Sequence, residues 1–491
     1  MSERKPPQHT GRLSRREFLE RLGRVSTGVA GAALLAACGA TTTAPTGEGG
    51  TAGAASSGAA PSVGAAAPQP GAATISMLGW GSPLEKENVD AGMKLFQEQN
   101  PGITVEWLHT PQDYPTKLQT MLAGGTPPDV FWANNLFDYV ARDVVLDITN
   151  YMQADPVLSK PDYFIQPQEQ ERSSYNGKWY GIGSCWVLPH LYYNAELLQQ
   201  AGVEPPSMDP TKAWTWDQFV EAARKLTVDT AGKHPGDSGF DANNVQQWGV
   251  SWATWFLMRD VMIYSNGGEA FTEEHTTRLG EPAAIEAIQA VADLMNKHQV
   301  APRAATTEQL GMSSQQMLAS GKLAMLADGS WALQDIAKLG FKYGCGVLPK
   351  MKEPATASQA HIHTISSETD QPDASWKLLA FLSSDDYQRG LCKAGLWLPS
   401  HTSLLTEEGL KTWITPDVHP EGYRQIATDY LAKYARNYYF PAGFQEADQL
   451  ITAALDPVWI GDTTVSEALG QGDVIQKAND VLKQAEQKLK A

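Results

Sequence analysis

The sequence predicts an α/β fold in which mostly parallel sheets, flanked by helices, are built twice over. Three observations carry this expectation. From residue 74 onward, apolar periods of two and of about 3.6 alternate as strand, helix, strand, helix, strand, helix, the order that specifies a parallel sheet with crossover helices. The pattern restarts beyond residue 179. Residues 74–491 are also enough chain for two domains.

The first 73 residues lie outside that pattern. Ser14-Arg15-Arg16-Glu17-Phe18-Leu19 is a twin-arginine sequence in a basic segment. The small and apolar run Val25–Ala37 follows and ends at Cys38. Basic, apolar, then small residues at a cut site is the order of a secretion signal. The apolar run is too short to span a bilayer, which takes ~20 residues. Leu35-Ala36-Ala37-Cys38 resembles the lipobox of bacterial lipoproteins, which implies that residues 1–37 are removed and Cys38 is lipidated. The partners implied are the Tat translocase and the lipoprotein-processing enzymes, and the location is extracytoplasmic, anchored to the cell membrane. Gly39–Ala73 holds only Gly, Ala, Thr, Ser, Pro, Glu, Gln and one Val. It has nothing to bury, so it reads as a flexible tether with a root-mean-square reach of roughly 30–35 Å.

In the mature chain Thr74–Leu78 alternates as a strand, and Gly79-Trp80-Gly81 breaks it. Ser82-Pro83-Leu84-Glu85 is a capping box with Pro at the first helical position. Val89, Met93 and Phe96 recur at helical spacing, and Asn100-Pro101-Gly102 stops the helix. Ile103, Val105 and Trp107 alternate in a second strand. Asp113 caps a helix that turns Leu118, Met121 and Leu122 inward. Val130-Phe131-Trp132 reads as a strand buried on both faces, and a helix through Phe137, Val140 and Val144 follows Asn134-Asn135. Ligands of such sheets bind beyond the carboxyl ends of the strands. Trp80, Ser82, Asp113, Tyr114, Trp132, Asn134 and Asn135 fall at that edge.

Farther on, Trp179–Leu191 reads as extended chain and Ala195–Ala201 as a short helix. Thr215-Trp216-Asp217-Gln218 is a second capping box, opening a helix through Phe219, Ala223 and Leu226. A polar loop spans 228–246, before the aromatic segment Trp248–Phe256. Glu308–Ser320 reads as helix, Leu323–Ala327 as strand, and Gly329-Ser330-Trp331 as a turn into a helix. Trp376–Leu382 and Val474–Leu489 are helical. Trp331, at the start of its helix, is expected to be a stacking platform rather than a core residue.

The whole chain carries a net charge of −17. Without residues 1–37, 31 basic side chains face 52 acidic ones. Nucleic acid and anionic lipid both reward clustered Lys and Arg, so neither is an expected partner. Cys185, Cys345 and Cys392 allow at most one internal disulfide, whose pair the sequence does not choose. Fifteen tryptophans is a high count, and those at strand–helix junctions fit sugar recognition. An indole face stacks on the C–H face of a pyranose, while its N–H donates to a hydroxyl.

Signs of catalysis are absent. There is no Gly-x-Ser-x-Gly elbow, P-loop or His-Glu-x-x-His. His361-x-His363 lacks a third metal ligand, and Asp229, Asp237 and Asp241 lack EF-hand spacing. No motif nominates the two facing carboxylates of a glycoside hydrolase. The reading is therefore no enzyme, no cofactor and no metal. A secreted carbohydrate-active enzyme and a ligand-presenting sensory protein stand as alternatives.

Several stretches together resemble the family 1 extracellular solute-binding proteins of ABC importers, relatives of the maltose-binding protein. They are Trp80–Trp107, Thr126-Pro127-Pro128-Asp129-Val130-Phe131-Trp132-Ala133, Asp147-Ile148, Leu191-Tyr192-Tyr193-Asn194, Thr215-Trp216-Asp217, Asp328-Gly329-Ser330-Trp331 and Trp376–Leu382. The resemblance implies a two-lobed periplasmic-binding-protein-like fold of type II, with the ligand cleft between the lobes. Lobe one would hold 74–187 and 358–394, and lobe two 190–355 and 397–491, with crossings near 188, 356 and 396. It also implies capture of a mono- or oligosaccharide by hinge closure, delivery to ABC permease subunits, and action as a monomer. Trp80, Trp132, Asn135 and Trp331 lead the contact residues so implied, followed by Asp113, Tyr114, Asn134, Trp186, Trp252, Trp255 and Trp397. Maltodextrin-binding members place an Asp-Arg pair where this chain has Asn135-Leu136, so the resemblance does not carry maltose across. A polyol or glycerol phosphate stays open as ligand.

Overall fold

Two five-stranded sheets organise residues 72–165, 168–359 and 361–490, which the computed structural model describes. The twin-arginine segment, Cys38 and the tether as far as residue 71 lie outside the described residues. The first sheet contains β1 (Ala73–Gly79), β2 (Ile103–His109), β3 (Val130–Ala133), β4 (Ile182–Gly183) and, late in the chain, β10 (Ile362–Ile365). Its order is β2-β1-β3-β10-β4. The second contains β5 (Pro189–Asn194), β6 (Val228–Asp229), β7 (Val245–Trp252), β8 (Leu323–Gly329) and β9 (Tyr343–Gly346), ordered β9-β5-β8-β7-β6. The β1–β2, β1–β3 and β7–β8 pairs are parallel. The strands through which the chain changes sheet, β4, β5 and β10, pair antiparallel, so both sheets are mixed.

Local sequence explains most elements. All four residues of β3 are buried, as an unbroken apolar run requires. The Asp129 carboxylate just before it accepts from Ser76 N at 2.7 Å and from Ser76 Oγ at 2.9 Å. That pins β3 beside β1 and accounts for the acidic residue after Pro127-Pro128. The helix Pro83–Gln99 buries Val89, Met93 and Phe96. Thr215 and Gln218 form the expected reciprocal cap. In the second sheet Leu191 and Tyr192, like Met325 and Leu326, enter different cores, as the pleat demands.

Four local expectations are corrected. Asp113 makes no cap hydrogen bond, because its own backbone is left-handed at φ 53°. The helix after Asn135 ends at Val140, leaving Val144 just past a turn at residues 141–143. Residues 308–320 form two short helices, Ala304–Leu310 and Ser314–Ala319, separated at the left-handed Gly311. Only half of the first capping box forms: Ser82 Oγ accepts from Glu85 N at 3.1 Å, and the Glu85 side chain turns elsewhere. Cys185, Cys345 and Cys392 are buried and free. No helix among the described residues is long and apolar enough to cross a membrane.

Between the sheets three stretches of chain run side by side. Trp186 and Leu398 exchange backbone hydrogen bonds at 2.8 and 2.9 Å, and Val187 and Gln359 do so at 2.8 and 3.0 Å.

Candidate functional site

A cavity of about 330 Å³ opens where the ends of both sheets face each other beside those crossing stretches. The first sheet contributes Trp80, Ser82, Glu85 and Asn134, all just beyond the carboxyl ends of β1 and β3. The second contributes Trp255 and Phe256 after β7, and Trp331, Gln334 and Asp335 after β8. Val187, Gln359, His361 and Trp397 of the crossing stretches form the rest of the lining. Its volume lies at the lower end of the ~300–1,000 Å³ typical of small-molecule sites.

Trp80 is held by edge contacts on several sides. Its ring centroid lies 4.7 Å from Tyr114, 5.2 Å from Trp132 and 4.6 Å from His361. Trp132 in turn stacks on Trp107 at 5.4 Å. Gly79 makes room for this cluster, since a Cβ there would come within 2.7 Å of both the Trp107 and Trp132 rings. Gly81, at φ +126°, makes room for Glu85, whose carboxyl carbon would lie 2.5 Å from a Cβ. The Gly-Trp-Gly sequence thus seats one tryptophan between a packed aromatic floor and a folded-back carboxyl group.

Four buried polar atoms of the lining have no hydrogen-bond partner: Glu85 Oε1, Asn134 Oδ1, Gln359 Oε1 and His361 Nδ1. Leaving such an atom unpaired costs ~1–3 kcal/mol, so four in the residues around one cavity favour a rearrangement there that pairs them. Burial pushes the Glu85 carboxyl up to about 8; the Ser82 backbone pulls the other way, and Asp335 adds to the rise. Burial lowers His361 to about 3, with the Arg172 guanidinium adding to the effect. At neutral pH the imidazole is therefore uncharged and Glu85 mostly protonated. A carboxyl with a raised pKa in a cleft with a second carboxylate is also a feature of glycoside hydrolases.

Six sequence-predicted residues, Trp80, Ser82, Asn134, Trp255, Trp331 and Trp397, line the cavity. Six do not. Trp132 is fully buried beneath Trp80, and the Tyr114 hydroxyl donates to its carbonyl. Trp186 is buried under the Arg172 guanidinium, 3.9 Å from its ring. Trp252 is in the core, its Nε1 donating to Met258 O at 2.8 Å. Asn135 turns to the Asp138 carboxylate, and Asp113 faces solvent. Trp331 is both wall and packing, since it is partly buried against all three hydrophobic cores. The expectation of a platform outside the core is corrected accordingly. Glu85, Gln334, Asp335, Gln359 and His361 are additions of the structure. His361 and His363 reach no third ligand; among the described residues no His, Cys, Asp and Glu group is placed to hold a metal. A larger hollow of about 730 Å³ near Glu171, Glu273 and Arg436 has no tryptophan in its lining.

The sequence profile of the family described as bacterial extracellular solute-binding protein matches residues 76–389. A binding protein of Brucella abortus is 22% identical over 399 residues, 78% of this chain and 88% of its own length. The sn-glycerol-3-phosphate-binding periplasmic protein UgpB of Agrobacterium fabrum is 29% identical over 167 residues, 33% of this chain and 34% of its own. Among solved structures, an ABC substrate-binding protein of Listeria monocytogenes in complex with cycloalternan is similar, with a TM-score of 0.72 and 26% identity. It covers 84% of this chain and 99% of its own.

Proposed function

This chain belongs to the bacterial extracellular solute-binding protein family, and on that premise we propose that its cleft captures a sugar-like ligand for delivery to an ABC importer. The family is one of binding proteins, which sets the hydrolytic alternative aside. The observation that carries the sugar assignment is the pairing of accessible tryptophan faces with unpartnered buried polar atoms in one cavity. A pyranose offers the matching surface, apolar C–H faces ringed by hydroxyls. The relative named for cycloalternan binding supports the same class.

Capture proceeds by closure of two lobes, 74–187 with 358–394 and 190–355 with 397–491, about the hydrogen-bonded stretches at 186–187, 359 and 398. Trp80 and Asn134 receive the ligand on one lobe, Trp331 and Trp255 on the other, and Trp397 edges the floor. A thermal-shift screen against sugars and polyols tests this directly. A ligand at a hundred times its dissociation constant stabilises by ~2.7 kcal/mol; a screen with no stabilising carbohydrate refutes the assignment. Turnover of a bound oligosaccharide by the pure protein would restore the enzyme reading.

The chain is exported through the Tat route, lipidated at Cys38 and held near the membrane as a monomer on its tether. Cys38→Ser is expected to move the protein from the membrane fraction to the soluble fraction. A variant that stays membrane-bound places the anchor elsewhere.

A further inference from the structure

The cleft lining is short of positive charge. Three of its four unpartnered buried atoms are oxygens, Glu85 Oε1, Asn134 Oδ1 and Gln359 Oε1, and each accepts. Two of its lining residues, Glu85 and Asp335, are carboxylic acids, and none is Lys or Arg. The nearest cations are engaged or outside. Arg172 is buried outside the lining and paired with Glu169 at 2.5 Å, and Lys338 is exposed outside the lining, where it works against the rise that burial gives Asp335.

The acids come from opposite walls, Glu85 from the helix after β1 and Asp335 from the helix after β8. Both line the one cavity, and Asp335 adds to the rise that burial imposes on Glu85. Bringing the walls together sets Glu85, which avoids ionising by keeping its proton, against the Asp335 carboxyl, whose cationic neighbour is the exposed Lys338. The carboxyl of Glu85 is nonetheless held there by design of the backbone. Gly81 is in a conformation L side chains avoid, and a side chain on it would displace that carboxyl.

A hydroxyl-only ligand can donate to these oxygens but leaves the charge in place. A phosphate or carboxylate ligand would add to it. A protonated amine offers three donors, no acceptor and one positive charge, the complement of what the cleft lacks. Resting on the sugar-capture reading above, we propose that the preferred ligand is an amino sugar whose ammonium group sits between Glu85 and Asp335. The tryptophans then take the ring faces, and Asn134 and Gln359 accept from the remaining donors.

Calorimetric titration of the purified full chain with matched sets of mono- and disaccharides tests this. Each set carries a hydroxyl, amine, acetamide or phosphate group at one ring position, with glucose, glucosamine, N-acetylglucosamine and glucose 6-phosphate as the simplest. The amine member is expected to bind at least tenfold tighter than its hydroxyl counterpart, with the acetamide and phosphate members weakest. Both Glu85→Gln and Asp335→Asn are expected to cut the amine-to-hydroxyl ratio to threefold or less, each variant first checked for a cooperative melt. Using two variants on opposite walls guards against one misfolding. Hydroxyl members that bind as tightly as amine members would overturn the amine assignment and leave sugar capture standing. A ratio retained in both variants would also overturn it. If no carbohydrate in any set binds, the capture reading falls and takes this proposal with it.

Discussion

The two walls of the cleft use tryptophan in different ways. On the first, Trp80 lies against Tyr114, Trp132 and His361, with Trp107 stacked on Trp132. On the second, Trp255 is 38% exposed at a helix start without a side-chain cap, 5.7 Å from Trp331 on a 3₁₀ turn. The first wall is preorganised by its depth, whereas the second presents its rings from short elements at the edge. A binding site that closes needs both: a fixed floor to set ligand orientation, and a lighter wall whose contacts are completed on closure.

The largest expected effect separates these two uses. Trp132→Ala empties the stack and is expected to cost ~3–5 kcal/mol of stability, read as a lower denaturation midpoint of the ligand-free protein. Trp255→Ala is expected to leave the ligand-free melt nearly unchanged and weaken sugar binding about tenfold, the loss of a stacking contact worth ~0.5–1.5 kcal/mol beyond its area. Trp331→Ala belongs between them and should lose in both measurements, because its ring also closes the three cores. If Trp255→Ala destabilises as much as Trp132→Ala, the walls do not differ and the comparison fails.

That contrast also marks what was legible beforehand. Strand ends can be read from alternation and its interruption, so Trp80 after β1 and Trp331 after β8 were found at the cleft. Trp132 was misplaced because β3 is buried on both faces. A run without alternation carries no sign of which way its last ring points. Trp252 and Trp186 fail for related reasons: each ends or links a strand, but their partners, Met258 and Arg172, are fixed only in three dimensions. The sequence predicts Glu85 as half of a capping box, the ordinary fate of an acid three residues after a Ser cap. Its carboxyl instead lies against Gly81, where a Cβ would collide with it, and no spacing rule reports that close approach. Gln359 and His361 reach the floor from a stretch about 280 residues after Trp80, a proximity that the β3–β10 pairing and the Val187–Gln359 bridge create.

A medium effect concerns the charge on the fixed wall. Glu85 faces Asp335 across the cleft and His361, at 3.9 Å, on its own side. Tyr387 and Cys185 pack nearby and stay neutral, because burial holds both well above their ordinary values. With the folded Glu85 pKa up at about 8 against 4.5, the native state keeps a proton that the unfolded state releases. The stabilisation is therefore full below pH ~4.5 and is lost as pH rises to ~8. His361, lowered to about 3, works the other way and costs stability as pH falls below ~6.5. Glu85→Gln should remove only the first trend, so its melting temperature relative to the parent should climb between pH 5 and pH 8.5. A difference that stays flat across that range would mean the carboxyl is solvated and the wall is not fixed as described.

The smallest effect tests whether the walls move relative to each other at all. Asn88, on the helix that follows Trp80, donates from Nδ2 to Gln334 Oε1 at 3.1 Å, joining the first wall to the second beside the cavity. On the other flank the Asp138 carboxylate accepts from Gly443 N, a second tie that survives if the first is cut. A side-chain hydrogen bond of this kind contributes ~0.5–1.5 kcal/mol. If the halves are permanently joined, Asn88→Ala removes that amount from the melt of the ligand-free protein and leaves affinity alone. If instead the bond forms only as the cleft closes, the same free energy comes out of ligand binding, a loss of roughly two- to tenfold by affinity arithmetic, with the ligand-free melt unchanged. Sugar capture by closure requires the second result. It predicts further that scattering on the ligand-free variant shows a radius of gyration equal to or above that of the parent, converging with it once ligand is saturating.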